Sequence, residues 1–288
     1  MSTQVKAANL NPRQKEILNH ARIRGEVQVE QLAETFNVTP QTIRRDLNQL
    51  RELGLLHRVH GGAIVHDGVS NLGYEARRRL SSGEKEAIAR CAAQLIPDDT
   101  SLFINIGTTT EQVARHLVNR VGLLVITNNI NVVNTLRECE TIQVMTAGGI
   151  VRREDGGIVG DATVDFIAQF KVDFAVVGAS AIEVDGTVLD YDPREVRVAQ
   201  AIIANARSII LVADSTKFER NAPMRITDIS RVDYFVTDRM PPPAFADICR
   251  ERGVTLVIAA EGFKCHAAVD HRQDVNNPSA EPSGTSFS

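Results

Sequence analysis

The sequence predicts an α/β protein in two parts: a small helical unit closed by a hairpin, then a larger domain on a mainly parallel sheet. Three observations carry that prediction. Residues 11–66 show helical apolar spacing in three short segments, followed by two strand-like runs turned at Gly61-Gly62. From Glu84 to about Ala260, helical patterns alternate with β-branched runs at Ser101–Ile106, Leu123–Thr127, Ile142–Ala147, Val172–Gly178, Ser208–Ala213, Asp233–Thr237 and Val254–Ile258. That alternation is the pitch of βαβ units. Charge is also divided unevenly. Residues 1–80 carry 12 Lys and Arg against 8 Asp and Glu, a net of +4, and the remaining 208 carry 20 against 28, a net of −8. A basic first quarter on an acidic body fits a polyanionic partner for the first quarter alone.

The 288 residues suffice for about two domains. The divisions expected are 1–66, a polar linker 67–83, a domain over 84–260, and a tail 261–288 that lacks apolar periodicity and reads as disordered. No apolar run approaches the roughly 20 residues of a membrane span, so no membrane partner is expected and the location expected is the cytoplasm. Cys91, Cys139, Cys249 and Cys265 have no metal-ligand spacing, and the first three read as small buried hydrophobes. The histidines lack ligand spacing as well, so neither a metal nor a cofactor is expected.

The first helix is expected from Pro12 to Arg24, with Asn11 as N-cap, Pro12 at the first position and Gly25 as its stop. The second is expected over about Glu30 to Phe36. Thr39-Pro40 then supplies a new cap and first residue after a short turn. The third helix, Pro40 to Leu53, places Ile43, Leu47 and Leu50 on one face and Gln41, Thr42, Arg45 and Asn48 on the other. Helix, short turn, helix is the geometry of a major-groove reader. Gln and Asn match adenine edges, Arg matches guanine, and Thr meets a thymine methyl or a phosphate. Gly54 closes the helix, and Leu55–Arg58 with Ala63–Val65 form a wing. The unit is therefore a winged helix-turn-helix. Its candidate contacts to a double-stranded DNA operator are Thr39, Gln41, Thr42, Arg44, Arg45 and Asn48, with Arg58 and His60 on the wing.

The run Thr39-Pro40-Gln41-Thr42-Ile43-Arg44-Arg45-Asp46-Leu47-Asn48, followed by His60-Gly61-Gly62-Ala63, resembles the signature of the DeoR family of bacterial repressors. One departure is Gln28-Val29, where that family often has Ser or Thr to cap the second helix, a cost of about 1 kcal/mol.

In the larger part, the strand Leu102–Ile106 delivers Gly107-Thr108-Thr109-Thr110 to a helix N-terminus. Free backbone N–H groups and hydroxyls there attract an anion. The loop is neither GxGxxG nor GxxxxGK[ST], so dinucleotide and Walker readings lose their motif. Thr127-Asn128-Asn129, Ala147-Gly148-Gly149 and Gly178-Ala179-Ser180 end further strands. Several polar strand ends along one open parallel sheet suggest a single crevice for a small hydroxylated, phosphorylated molecule.

The DeoR resemblance extends over roughly residues 10–260 and implies a sensor domain resembling the sugar-phosphate isomerase/CoA-transferase fold, which takes phosphorylated sugars or polyols as inducers. Asp155–Thr163, Asp165-Phe166-Ile167 with Gln169-Phe170, and Lys217-Phe218 with Arg220-Asn221-Ala222 point within the family to glycerol 3-phosphate as the preferred inducer. By resemblance, Thr108, Thr109 and Thr110 hold the phosphate, and Asn128, Asp190, Glu195 and Lys217 line the pocket. The family commonly has Lys where Ala199 stands, and Arg197 replaces its charge but not its geometry.

The function expected is a repressor that a phosphometabolite releases from its operator, acting as a homodimer or homotetramer on paired half-sites. The alternative is a sugar-phosphate isomerase with an appended DNA-binding domain, in which Glu195 and Lys217 would move a proton beside a carbonyl. Activation rather than repression depends on operator position and is left open.

Overall fold

The computed structural model describes residues 10–24, 26–53, 55–59, 62–65, 74–259 and 265–269. Asn11 caps the first helix, α1 (Pro12–Arg24), by accepting from Gln14 N at 2.8 Å, and its own N–H donates to Gln14 Oε1 at 3.2 Å. That reciprocal capping box satisfies two otherwise orphaned donors. Strand β1 (Glu26–Gln28) follows, then α2 (Val29–Thr35), whose N-cap Gln28 gives no side-chain bond, and α3 (Pro40–Glu52). Strands β2 (Leu56–Val59) and β3 (Gly62–Val65) make the antiparallel wing, and β1 adds to its β3 edge. Ile17, Leu18, Ala21, Leu32, Ala33, Ile43, Leu47, Leu50 and Leu56 are buried together as one core.

The chain continues through α4 (Tyr74–Arg79) and α5 (Ser82–Gln94) into the larger domain. Its strands are β4 (Ser101–Ile104), β5 (Leu123–Thr127), β6 (Ile142–Thr146), β9 (Val172–Gly178), β12 (Ala206–Val212), β14 (Tyr234–Thr237) and β15 (Thr255–Ala259), all parallel, in the spatial order β15–β14–β12–β9–β4–β5–β6. The helices α6 (Thr108–Leu117), α7 (Ile130–Leu136), α8 (Asp161–Ile167), α9 (Pro193–Ala204) and α10 (Pro243–Glu251) alternate with them. Both faces of the sheet are covered. Phe103, Ala175, Leu211, Phe235 and Leu256 point into one apolar layer, whereas Leu102, Ile104, Val176, Ile210, Val236 and Val257 point into the other. Burial on both sides explains why these strands read as unbroken apolar runs rather than alternating ones.

Two short features lacked a sequence signal: the hairpin β7 (Ile150–Val151) with β8 (Ile158–Val159), and a small antiparallel sheet of β10 (Ala181–Ile182), β11 (Thr187–Asp190) and β13 (Met224–Asp228). The expected linker contains α4, which has no apolar stripe and is held by polar side-chain bonds instead. Two expectations need correction. The stretch read as a disordered tail contains β16 (Cys265–Val269), antiparallel to β15 at the sheet edge. Cys91, read as a small buried hydrophobe, is disulfide-bonded, whereas Cys249 is fully buried and its thiol is pushed up to about 12 by that burial. The expected stops Gly25 and Gly54 and Gly61 of the expected Gly61-Gly62 turn lie outside the described residues, and Gly62 begins β3.

Candidate functional site

The reading helix α3 begins where Thr39 accepts from Thr42 N at 3.3 Å, with the two hydroxyls 2.9 Å apart and Pro40 at the first position. Ile43, Asp46, Leu47 and Leu50 are buried, while Gln41, Arg44, Arg45, Asn48 and Gln49 are exposed. Gln41, Arg44, Arg45 and Asn48 line one shallow concavity with Gln49 and Glu52. Arg44 lies 3.6 Å from Glu30 on the preceding helix, and both side chains are open to solvent. Arg45 makes no ion pair among the described residues, so its guanidinium is available to a partner. Arg58 sits on β2, and His60 lies outside the described residues.

A residue the sequence reading passed over orients this helix. Asp46 is 5% exposed, and its carboxylate accepts from Arg13 Nε at 2.6 Å and Gln14 Nε2 at 3.3 Å. Gln14 also donates to Gln49 Oε1 at 2.8 Å. These bonds strap α3 to the first turn of α1. A buried carboxylate on an otherwise apolar helix stripe was the available signal.

In the larger domain the carboxyl ends of five neighbouring strands are in register. Ile104 faces Thr127 and Val176, Thr127 faces Thr146, and Gly178 faces Val212. Gly107, at φ +151°, turns the chain from β4 into α6, and a Cβ there would lie 3.2 Å from Thr110 Oγ1. Glycine is thus the residue this turn accepts without strain. Thr108, Thr109 and Thr110 occupy the first turn of α6 and are buried. The Thr110 hydroxyl is committed to the loop itself, sharing its proton between Asn105 O at 2.7 Å and Gly107 O at 2.8 Å. Thr108 and Thr109 keep their hydroxyls free of such bonds among the described residues. Asn128 donates to Ile158 O at 3.1 Å, but its Oδ1 is buried without a hydrogen-bond partner, as is Oδ1 of Asn105.

Around these ends lies a concentration of buried charge. Lys217, in the turn after β12, is pushed down to about 7 by burial and by Arg220, with Asp214 opposing. Lys85 on α5 is pushed down to about 8, again by burial first. Arg220 is lowered by burial too. Burial pushes Asp214 up, but Lys217, a hydrogen bond from Thr216, and Lys85 together hold it below the usual carboxylate range. Asp190 accepts from Ser180 Oγ at 3.0 Å and Tyr191 N at 2.6 Å, yet burial dominates and raises it. A second group centres on Arg152, whose guanidinium meets Asp155 at 3.0 Å, Asp192 at 3.1 Å and the Glu195 carboxylate.

The expected pocket residues thus fall into two neighbourhoods: Asp190 with Lys217, and Glu195 with Arg152. Arg77 joins them, because it pairs with Asp155 at 3.3 Å and acts electrostatically on both Lys217 and Asp190. Sequence reasoning missed Arg77, Lys85, Arg152 and Arg220, since scattered basic residues carry no spacing signal. It also left Arg197 as a stand-in for a family lysine. Arg197 instead points outward to Asp161 at 2.7 Å, and Ala199 is buried in the apolar core.

The DeoR C-terminal sensor domain matches residues 81–239, and the DeoR-like helix-turn-helix domain matches residues 13–69. The chain is 45% identical over 240 residues to the glycerol-3-phosphate regulon repressor of Escherichia coli (strain K12), covering 83% of this chain and 95% of that protein. It is 38% identical over 251 residues to the HTH-type transcriptional repressor CsqR of the same organism, covering 87% of this chain and 96% of that one. In structure it is similar to ribose 5-phosphate isomerase A from Methanocaldococcus jannaschii at a TM-score of 0.37 and 17% identity, over 48% of this chain and 55% of that one, a likeness too loose to bear on function.

Proposed function

The chain belongs to the DeoR family of transcriptional regulators, and from that premise we propose that it is a repressor which a phosphorylated polyol or sugar, glycerol 3-phosphate foremost, releases from its operator. Gln41, Arg45 and Asn48 read base edges, and Thr39, Thr42, Arg44, Arg58 and His60 meet the backbone. The protein works in the cytoplasm as a homo-oligomer on paired half-sites.

The observation that carries the sensing half is the buried cation group at the strand ends. Burial holds Lys85, Lys217 and Arg220 below their ordinary pKa, Arg77 adds to that on all three by its positive charge, and Asp214 is the carboxylate that opposes it. A phosphate dianion adds anionic charge there, while Thr108, Thr109 and the α6 N-terminus supply donors. Asp190 and Asn128 then serve the hydroxyls.

The isomerase reading is weaker. Its proton acceptor would be Glu195, whose carboxylate is already bound by Arg152. A carboxylate already occupied by a guanidinium is not free to face a substrate proton.

The test is fluorescence anisotropy on an operator selected from random duplexes, titrated with glycerol 3-phosphate and a panel of sugar phosphates. One phosphoester should weaken operator binding by about 5- to 150-fold, and calorimetry should show operator weakening that ligand by the same factor. Release by none of them would sink the sensing function, and turnover of a sugar phosphate abolished by Glu195→Ala would restore the enzyme reading.

A further inference from the structure

Helix α4 (Tyr74–Arg79) falls between the two matched spans, 13–69 and 81–239. Yet its polar contacts run to the loops at the strand ends. The Tyr74 hydroxyl donates to Glu111 Oε2 at 2.7 Å and accepts from Asn131 Nδ2 at 3.0 Å. Glu111 belongs to the first turn of α6, the turn that carries Thr108 to Thr110. It also accepts from Asn129 at 3.2 Å and Asn131 at 3.1 Å, at the end of β5. Arg77 Nη2 reaches Asp155 Oδ2 at 3.3 Å, and the Arg77 carbonyl accepts from the Lys85 ammonium.

Arg77 is poised rather than satisfied. Its side chain is 12% exposed, and its Nε is buried with no hydrogen-bond partner. Two buried acceptors, Oδ1 of Asn105 and Oδ1 of Asn128, are also unpartnered at the neighbouring strand ends. Buried polar groups are ordinarily paired, and each unpaired one costs stability. A ligand bearing an anionic oxygen set and hydroxyl donors would satisfy all three.

Resting on the sensing function proposed above, we propose that α4 is the movable wall of the inducer site: Arg77 binds the phosphate directly, and Tyr74 is a positioning residue that couples the helix to the phosphate loop through Glu111. Arg77 now shares Asp155 with Arg152. A phosphate competes with Asp155 for the same guanidinium, so binding exchanges one anionic partner for another and displaces α4. The helix starts nine residues after the wing strand ends at Val65. Occupancy is thereby passed to the segment that leads to the DNA-binding unit. The device is a two-state element biased from both sites, which is what reciprocal coupling requires.

The experiment uses the full chain and three variants, with operator affinity from anisotropy and glycerol 3-phosphate affinity from calorimetry. Arg77→Gln should lose at least about tenfold in ligand affinity, and Arg77→Lys should recover part of that loss. Tyr74→Phe should keep ligand affinity within about threefold while the release factor falls towards one. Unchanged melting temperatures confirm that each variant folds. If Arg77→Gln destabilises the chain, Tyr74→Phe decides alone through its split between affinity and release. Wild-type ligand affinity in Arg77→Gln, or wild-type release in Tyr74→Phe, overturns this inference and leaves the sensing function standing. A wild-type chain that ignores glycerol 3-phosphate and the sugar-phosphate panel overturns the sensing function itself, and this inference with it.

Discussion

Raising the pH should weaken inducer binding while it strengthens the empty protein. Lys217 sits near 7 and Lys85 near 8, against ordinary values of 10.5, with Arg220, Arg77, Asp214 and Asp190 around them. Above pH 7 the folded chain has therefore released protons that the unfolded chain still holds. Stability rises wherever the unfolded state binds more protons, so this contribution grows from about pH 7 to 10.5 and is lost as pH falls through 7. A phosphate dianion reverses the preference, because it favours the charged lysines. Binding then takes protons up, and affinity falls by about tenfold per pH unit for each lysine recharged. From pH 7 to 8.5 Lys217 alone gives a loss of up to about thirtyfold. The ligand's own second ionisation lies near pH 6 and works in the opposite direction, raising affinity with pH, so the fall is read between pH 7.5 and 8.5, where the dianion dominates. Calorimetry at pH 6.5, 7.5 and 8.5 in two buffers of different ionisation enthalpy counts the protons, and thermal melts of the empty protein follow the other arm. Affinity that stays flat over this range, with no proton uptake, would refute the placement of phosphate beside Lys217 and Lys85.

Thr109→Glu puts a carboxylate in the first turn of α6, where Thr109 is 6% exposed, and should yield a chain that binds operator normally yet ignores inducer. Unchanged ligand affinity by calorimetry would remove that loop from the site. Two substitutions on α3 should separate reading from support. Arg45→Ala should lose about 1–3 kcal/mol of discrimination between operator and random DNA, the worth of one bidentate base contact. Asp46→Ala removes the buried acceptor of Arg13 and Gln14, so it should lower the melting temperature and weaken both DNAs together, at about 1–3 kcal/mol of stability. Equal DNA effects from both variants, measured by anisotropy, would erase the distinction.

Much of this protein is legible in its residues because the signals are local. Caps, first-turn prolines and apolar periods settle α1 from Pro12 to Arg24 and α3 from Pro40, and unbroken apolar runs mark the central strands to within two or three residues. Helix starts depend on neighbours three and four residues apart, and buried parallel strands must be apolar on both faces. The reading face of α3 follows at once, since its opposite stripe is apolar. The Gly107–Thr110 loop is visible for the same reason, as a strand handing over to a helix.

The charge arrangement at the crevice was decided only in three dimensions. Arg77 meets Asp155 across 78 positions, Arg152 meets Asp192 across 40, and Tyr74 meets Asn131 across 57. Nothing in the spacing of single basic residues announces such pairings. The partner of Glu195 is Arg152, 43 positions away in the chain, and the register of α9 turns Arg197 outward to Asp161. The hydrophobic pattern specifies which faces are buried, and so determines the fold. It says nothing about which ions share a buried space, because that depends on how distant strand ends and helices converge, and a pKa is set by that convergence.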